Sequence, residues 1–554
     1  FPLEDIPRTG CVILVGSNPA DTMPPALRYF MELRENGGKL IVVDPRRTRT
    51  AEQADLHLQP RPGTDLALAL GLLHLVIADG LIDEDFIAER TTGWKDARSA
   101  AMSHWPELVE RITGVPVPQL REAVTMFCGA PDGMVLTARG PEQQAKGTDT
   151  VSAWINLCLA TGRAGRPRSG YGCLTGQGNG QGGREHGQKA DQLPGYRKLD
   201  DPAARAHVAG IWGIDPDDLP APGRSAYELL DALGSEVKSL LLMGSNPVVS
   251  APRAAHVTER IASLDFLAVC DVVLSETAAM ADVVLPVTQW AEETGTTTNL
   301  EGRVLLRRKA IDPPTGVRSD LEVLHGLAVR LGWEKGFPTD PEEVFDELRR
   351  ASAGGPADYS GISYQRIAAE EGIFWPCPDA VVMEAATDSG AGSPAAAHPG
   401  TPRLFLDRFA TPDGRARFVP VLHRPSAEEP DAGYPLYLTT GRVLAQYQSG
   451  AQTRRVAELN AAAPGPFVQL HPRLADSIGV AEGDPVAVTS RRGRAVAPAQ
   501  ITRAIRADTV FMPFHWAGEG RANTLTNPAL DPTSKMPEFK VCAVRVEADR
   551  HSPE

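Results

Sequence analysis

The chain has no excess of positive charge. Its net charge of −14 leaves no basic face for phosphate-backbone contacts and argues against a nucleic-acid partner. It has no apolar run near the roughly 18 residues of a membrane span. The longest stretch, Leu66 to Ala78, contains His74 and reads as a buried helix, so no membrane partner is expected. It has no Ser/His/Asp motif, P-loop or HExxH pattern, which leaves hydrolytic and nucleotide-triphosphate chemistry without a signature. Its seven cysteines, Cys11, Cys128, Cys158, Cys173, Cys270, Cys377 and Cys542, form no CxxC pair, and no spacing among them suits zinc or an iron–sulfur cluster. Most lie in apolar segments, where a free thiol packs as a small hydrophobe. They read as reduced, buried thiols of a cytoplasmic protein. There is no signal peptide. Phe1 stands only ten residues before an apolar strand, and the chain is expected to be truncated at its N-terminus, which leaves targeting illegible.

What is present is an alternation of strands and helices, and 554 residues exceed one core. The pattern predicts a strand at Cys11–Val15, a helix at Ala26–Glu35, a strand at Leu40–Val43 and a helix from Asp65 to Ala78 with Thr64 as its N-cap. A strand at Met134–Ala138 and a helix at Val151–Thr161 come next. Continuous apolar strands with short polar ends, separated by helices, predict a parallel sheet covered on both faces. A second strand–helix system has strands at Ser239–Met243, Phe266–Val269 and Val283–Leu285. Ala386–Pro402 reads as a flexible loop. From Pro435 onward short strands alternate with turn signals, which predicts a small β-barrel. The boundaries are read as 1–175 for the first Rossmann-like unit, 176–430 for the second with its glycine-rich loop, and 431–550 for the barrel. The fold class is α/β.

Two tetrapeptides, Gly16 to Pro19 and Gly244 to Pro247, are both Gly-Ser-Asn-Pro and both come directly after an apolar strand. In open α/β sheets ligands sit outside the carboxyl ends of strands, where small residues let a phosphate approach the backbone. These ends are either such a site or ordinary strand-to-helix turns. Asp44, at the next strand end, is placed to accept from a ribose or a guanine edge. Gly178, Gly180 and Gly183 formally satisfy GxGxxG, but with no strand predicted just before them the dinucleotide fingerprint fails its context. The stretch reads instead as an irregular loop near a cofactor, ending in Arg184 and Glu185. Thr440, Gly441 and Arg442, then Gln446 to Ser449, form a further polar cluster. His515, alone after an apolar stretch, reads as a core or supporting group.

Taken in order, the strings Leu14 to Ala20, Val43 to Thr48, Pro62 to Asp65, Met243 to Pro247, Asp282 to Pro286, Trp290 to Glu293 with Asn299 to Arg303, Thr440 to Val443 and Phe511 to Trp516 resemble the molybdopterin oxidoreductases, the dimethyl-sulfoxide reductase family. The resemblance covers essentially the whole chain. Within the family, Arg139 to Gln144, Lys146 to Asp149, Gly182 to Glu185 and Leu193 to Arg197 look like the assimilatory nitrate reductases rather than the formate dehydrogenases.

The resemblance implies two Rossmann-like domains and a C-terminal double-psi β-barrel, without the family's N-terminal iron–sulfur domain. It implies two molybdopterin guanine dinucleotides holding one molybdenum, and nitrate reduction in nitrate assimilation, with a formate dehydrogenase-type oxidoreductase or an inactive fragment lacking the metal ligands as the alternatives. By resemblance, one dinucleotide is bound around Gly16, Ser17, Asn18, Asp44, Pro45, Arg46, Arg47, Thr48, Gly63, Thr64, Asp65 and Gln143. The other is bound around Ser245, Asn246, Asp271, Asp320, Thr440, Gly441, Arg442, Tyr447, Gln448, Ser449, Asn523 and Lys540. Gly182, Gly183, Arg184 and His515 join the cofactor-binding set, and Arg139 is the cation expected to place nitrate. None of the seven cysteines matches the family's molybdenum ligand or the four ligands of its 4Fe-4S cluster, so no metal ligand is assigned. Ferredoxin, flavodoxin and an NADH-linked reductase subunit all remain open as electron donor.

Overall fold

The structure is a computed structural model and describes residues 1–174, 177–333, 335–379 and 397–550. Gly176, at the head of the glycine-rich string, and most of the loop expected at Ala386–Pro402, up to residue 396, lie outside the described residues.

The first unit is a five-stranded parallel sheet. In spatial order its strands are Leu56–Leu58, Lys39–Val43, Cys11–Val15, Met134–Thr137 and Gly170–Cys173. Cys11–Val15 is central and every residue in it is buried, as a strand covered on both faces requires. Its register sets Leu14 opposite Val42 on one side and Leu136 on the other. The helix Asp65–Ala78 is apolar nearly all round because it is enclosed, touching the helices Trp94–Met102, Pro106–Thr113, Val117–Gly129 and Gly147–Ala160. Thr64 does not cap it by side chain; its hydroxyl donates back to the Arg61 carbonyl at 2.7 Å. Pro24 and Pro25 open the helix Pro24–Glu35, two residues before its predicted start, since the first turn has no use for their missing N–H groups.

The second unit has the parallel strands Val283–Pro286, Phe266–Asp271 and Ser239–Met243. A third, antiparallel sheet of Gly295–Thr298, Arg303–Arg307 and Ile373–Phe374 is not legible in the sequence, because its strands are short and only half buried. Gly170–Cys173 is likewise absent from the sequence pattern, so a strand does end shortly before Gly178. The glycine-rich string then forms only a single helical turn, Gly182–Glu185, too short for the dinucleotide-binding helix.

Residues 409–421, placed by sequence with the second unit, return to the first. Phe409, Ala416, Phe418 and Val421 are buried in its core, and Ala416–Arg417 pairs in parallel with Thr91–Thr92. The C-terminal unit is a closed six-stranded barrel whose pairing mixes parallel and antiparallel neighbours. Its closing strand, Cys542–Ala548, is not among the predicted strands. Among the described residues no helix is long and apolar enough to cross a membrane.

The central strand sets the tightest packing demand. Leu14→Ala is expected to destabilise the first unit by about 2–5 kcal/mol through lost burial and the cavity left behind. A urea or thermal denaturation series against Leu81→Ala, whose side chain is exposed, checks this.

Candidate functional site

Cys11–Val15 ends at Gly16, whose φ of +58° favours glycine. A Cβ there would lie 2.4 Å from Pro141 Cδ and 2.7 Å from Gly140 Cα, and one on Gly140 would lie 2.6 Å from Gly16 Cα. Two strand ends thus meet backbone to backbone. Beyond them Asn18 Oδ1 accepts from the Thr50 hydroxyl at 2.7 Å, and Thr50 Oγ1 accepts from Ala20 N–H at 3.1 Å.

The second unit repeats this turn atom for atom. Gly244 has φ +57°, Asn246 Oδ1 accepts from the Thr277 hydroxyl at 2.8 Å, and Thr277 Oγ1 accepts from Val248 N–H at 3.3 Å. The repeat extends along the chain. Thr50 stands six residues after Asp44, as Thr277 does after Asp271. Asp55 and Asp282, eleven residues past the same aspartates, accept from Leu40 N–H at 2.9 Å and Leu267 N–H at 2.7 Å. The tetrapeptides are therefore part of a longer duplicated strand–turn–strand device. Its Asp-to-Thr spacing is the sequence signal that points to Thr50 and Thr277, which the motif reading passes over.

The first copy opens into a cleft of about 970 Å³, mouth included. Gly16, Ser17, Asn18, Asp44, Pro45, Arg46, Thr48, Gly63, Asp65 and Arg139 line it, together with Thr440, Gly441, Arg442 and Lys540 from the barrel. The grouping by resemblance assigns those four barrel residues to the other dinucleotide; the structure places them on the wall of this cleft. The reason is the parallel pairing of Leu436–Gly441 with Thr509–Pro513, which turns the strand's end, and Lys540 beside it, toward the first sheet. Three predicted residues are not on this wall. Arg47 is exposed and its N–H goes to the Ala504 carbonyl at 2.6 Å, Thr64 points to Arg61, and Gln143 is replaced by its neighbour Gln144, which donates to Asp65 at 2.7 Å.

The cleft is cationic, and three of its cations, Arg46, Arg442 and Lys540, have neutral partners. Arg46 donates to Gln469 at 3.0 Å and lies 3.5 Å over the Phe511 ring. Arg442 lies 5.5 Å over Phe514, and Lys540 donates to the Thr440 carbonyl at 2.7 Å. Burial, reinforced by Arg442, Arg139 and Arg46, pushes the Lys540 ammonium down to about 7. Burial also pushes the Asp44 carboxyl up to about 6, against the pull of Arg46, and raises Asp65. Two cations of the wall are tethered to carboxylates: Arg61 to Asp508 at 3.7 Å and Arg139 to Glu142 at 3.2 Å, and Glu142 also accepts from Thr137 and from the Cys173 thiol, each at 3.0 Å.

The second copy forms a polar cluster rather than a cationic cleft. Asn246 Nδ2 donates to Glu276 at 2.7 Å and to Ser449 Oγ at 3.1 Å, and Arg454 donates to Glu276 at 2.6 Å. Asp271 accepts from Ser275 at 2.8 Å. Ser245 and Tyr447 are not enclosed by this cluster, and Asp320 opens a helix capped by Ser319. Asn523 Nδ2 donates to the Val249 carbonyl at 2.8 Å, joining barrel to sheet. Sequence reasoning does not reach Glu276 and Arg454, since a Glu and an Arg 178 residues apart carry no local signal.

His515 is engaged by backbone at both ring nitrogens. It is fully buried under the 443–448 loop, its Nε2 accepting from Val443 N–H at 3.0 Å and its Nδ1 bonded to the Gln448 carbonyl at 2.6 Å. That pattern requires a neutral ring with the proton on Nδ1, and burial duly holds its pKa down at about 4. Gln448, at φ +51°, is held in the left-handed region by this contact. Gly182, Gly183 and Arg184 sit apart from the cleft lining, in the helical turn beside Cys173.

A duplicated phosphate-type turn, a closed barrel and a cleft rich in cations are what a bound dinucleotide needs. Residues 1–330 match the family Molybdopterin oxidoreductase, and residues 436–543 match the Molydopterin dinucleotide binding domain. The chain belongs to the molybdopterin oxidoreductases. It is 45% identical to the assimilatory nitrate reductase catalytic subunit of Bacillus subtilis over 98% of this chain and 75% of that protein. It is 39% identical to the F420-dependent formate dehydrogenase subunit alpha of Methanocaldococcus jannaschii over 98% of this chain and 77% of that one. Among solved structures, acetylene hydratase from Pelobacter acetylenicus shares the fold at a TM-score of 0.71 and 19% identity, covering 99% of this chain and 80% of that one. This molybdopterin oxidoreductase thus has residues of both matched segments on the wall of the cationic cleft.

Lys540→Met is expected to weaken retention of the pterin dinucleotide about 10–100-fold, the worth of one charge-assisted hydrogen bond; molybdenum and phosphorus content per chain after extended dialysis reads it. His515→Ala is expected to lower the melting temperature at pH 7. The folded imidazole takes up its proton only near pH 4, the unfolded one near 6.5. The stabilisation is therefore full above about pH 6.5 and is lost as pH falls toward 4. The melting-temperature gap between wild type and variant should narrow over that window.

Proposed function

We propose that this protein reduces nitrate to nitrite, serving nitrate assimilation, at a molybdenum centre held by two molybdopterin guanine dinucleotides. The observation that carries this reading is the 45% identity to an assimilatory nitrate reductase over almost the entire chain. The cleft's donor set fits the group. Turn amides after Gly16, with Arg46, Arg442 and Lys540, would hold a pyrophosphate, and Asp44 would accept from a guanine edge or ribose. The duplicated turn at Gly244 to Asn246, with Asp271, Ser449 and Asn523, would hold the second. When bound, the cofactor supplies the two-electron oxygen-atom transfer. Arg139 is the cation assigned to nitrate. It lies on the cleft wall, and Glu142 restrains its side chain, so its charge is presented at a fixed place to an anion.

The described cysteines do not fit a 4Fe-4S cluster. They stand singly, five of the seven are buried, and burial raises thiols such as Cys11, Cys158 and Cys542 to about 12. On this reading the cluster, the molybdenum ligand and the docking of a ferredoxin, flavodoxin or NADH-linked donor belong to other parts of the enzyme, and the enzyme works in the cytoplasm.

Formate oxidation is the rival reading, favoured by the 39% identity to a formate dehydrogenase. Dye-linked assays on the enzyme in its full native length separate the two. Nitrate-dependent oxidation of a reduced dye is expected, and it should fall about 100-fold or more in Arg139→Ala. Formate oxidation without nitrate reduction would overturn the proposal.

A further inference from the structure

The glycine-rich stretch 177–187 has little regular structure of its own, yet one buried carboxyl fastens it. Glu185 is 1% exposed. Its Oε2 accepts from the Thr298 hydroxyl at 2.9 Å and from the Tyr359 hydroxyl, and those two hydroxyls are themselves 2.8 Å apart. Trp375 joins Tyr359 and Thr298 in favouring the charged carboxylate, against burial. Thr298 also fastens the other end of the loop, its backbone N–H donating to Asn179 Oδ1 at 3.0 Å. Asn179 sits at φ +58°, and a Cβ on Gly182 would come within 2.1 Å of its Oδ1 and 3.2 Å of Thr298 Oγ1. A single residue at the end of the strand Gly295–Thr298 therefore ties both ends of the loop, through a threonine side chain at one end and its main chain at the other. Burial raises the Cys173 thiol, and the charges of Arg139 and of Arg184, next to Glu185, pull against that rise.

We propose that Glu185, acting through Thr298 and Tyr359, is the positioning residue that holds the glycine-rich stretch, and with it the helical turn Gly182–Glu185 beside Cys173, in the place that the anionic substrate requires. The substrate part of this inference rests on the nitrate reading; the anchoring part does not. Burial raises the Glu185 carboxyl to about 7, so a neutral amide of the same shape can take its place. Glu185→Gln keeps an oxygen for both hydroxyl donors. Glu185→Ala removes it, while Thr298 and Tyr359 can still bond each other and the surrounding core is unchanged.

Hydrogen exchange over residues 177–188 tests the anchor without any turnover. Glu185→Ala is expected to exchange about tenfold faster there than wild type, with Glu185→Gln within about twofold of wild type and exchange elsewhere unchanged. Tyr359→Phe, losing one donor, should fall between. Equal exchange in wild type and Glu185→Ala overturns the proposal, as does faster exchange spread over the whole chain. In the dye-linked assay, Glu185→Ala should raise KM for nitrate about tenfold with a smaller change in kcat, and Glu185→Gln should restore it. Loosened exchange with unchanged KM overturns the positioning role. If nitrate is not turned over at all, the nitrate reading fails while the exchange result still decides the anchor.

Discussion

Five cations, Arg46, Arg61, Arg139, Arg442 and Lys540, are carried into one partly buried cleft, with Asp44 and Asp65 the carboxylates beside them among the described residues of its wall. Like charges brought together away from water repel, and the repulsion adds to burial in lowering Lys540 and Arg442. The fold tolerates this because the cations come from separate elements, each stiffened by its own packing. Arg46 is stacked on Phe511, Arg139 is held by Glu142, and Lys540 is fixed on the Thr440 carbonyl. A polyanion entering the cleft relieves the repulsion, so the same arrangement that costs stability without ligand provides binding free energy with it.

That cleft exists because two glycines touch. Gly16 and Gly140 end neighbouring parallel strands with no room for a Cβ between them. Their contact brings the Gly16 to Asn18 turn and Arg139 to the same edge. The second unit reproduces the turn, the strand-end aspartate, the Thr–Asn bond and the later aspartate that accepts from a strand N–H. It does not reproduce the cation cluster. Its Asn246 is satisfied by Glu276 and Ser449 instead, so two copies of one backbone device present different electrostatics. The barrel serves both copies at once, with Thr440 to Arg442 and Lys540 turned to the first, and Ser449 and Asn523 to the second.

Buried titratable groups outside the cleft divide by the same rule. His515 stays neutral because both ring nitrogens are engaged by backbone in a dry site, and it ties down the 443–448 loop. Glu185 is raised because its two hydroxyl donors do not fully replace water.

The sequence by itself determined the parallel strands, their polar carboxyl ends, the paired Gly-Ser-Asn-Pro turns and the late barrel. Each of these is set by local periodicity or by a conformation that only a few residue types adopt, and such signals survive in one dimension. Only the tertiary structure decided that the barrel residues 440–442 and Lys540 belong with the first turn, that Gln144 rather than Gln143 faces Asp65, and that residues 409–421 complete the first core. It alone also joined Glu276 to Arg454 and Thr298 to Glu185. Those pairings depend on which way a barrel strand points when the barrel closes and on contacts between residues 79 or more positions apart. Chain connectivity does not encode such contacts until the separate units pack.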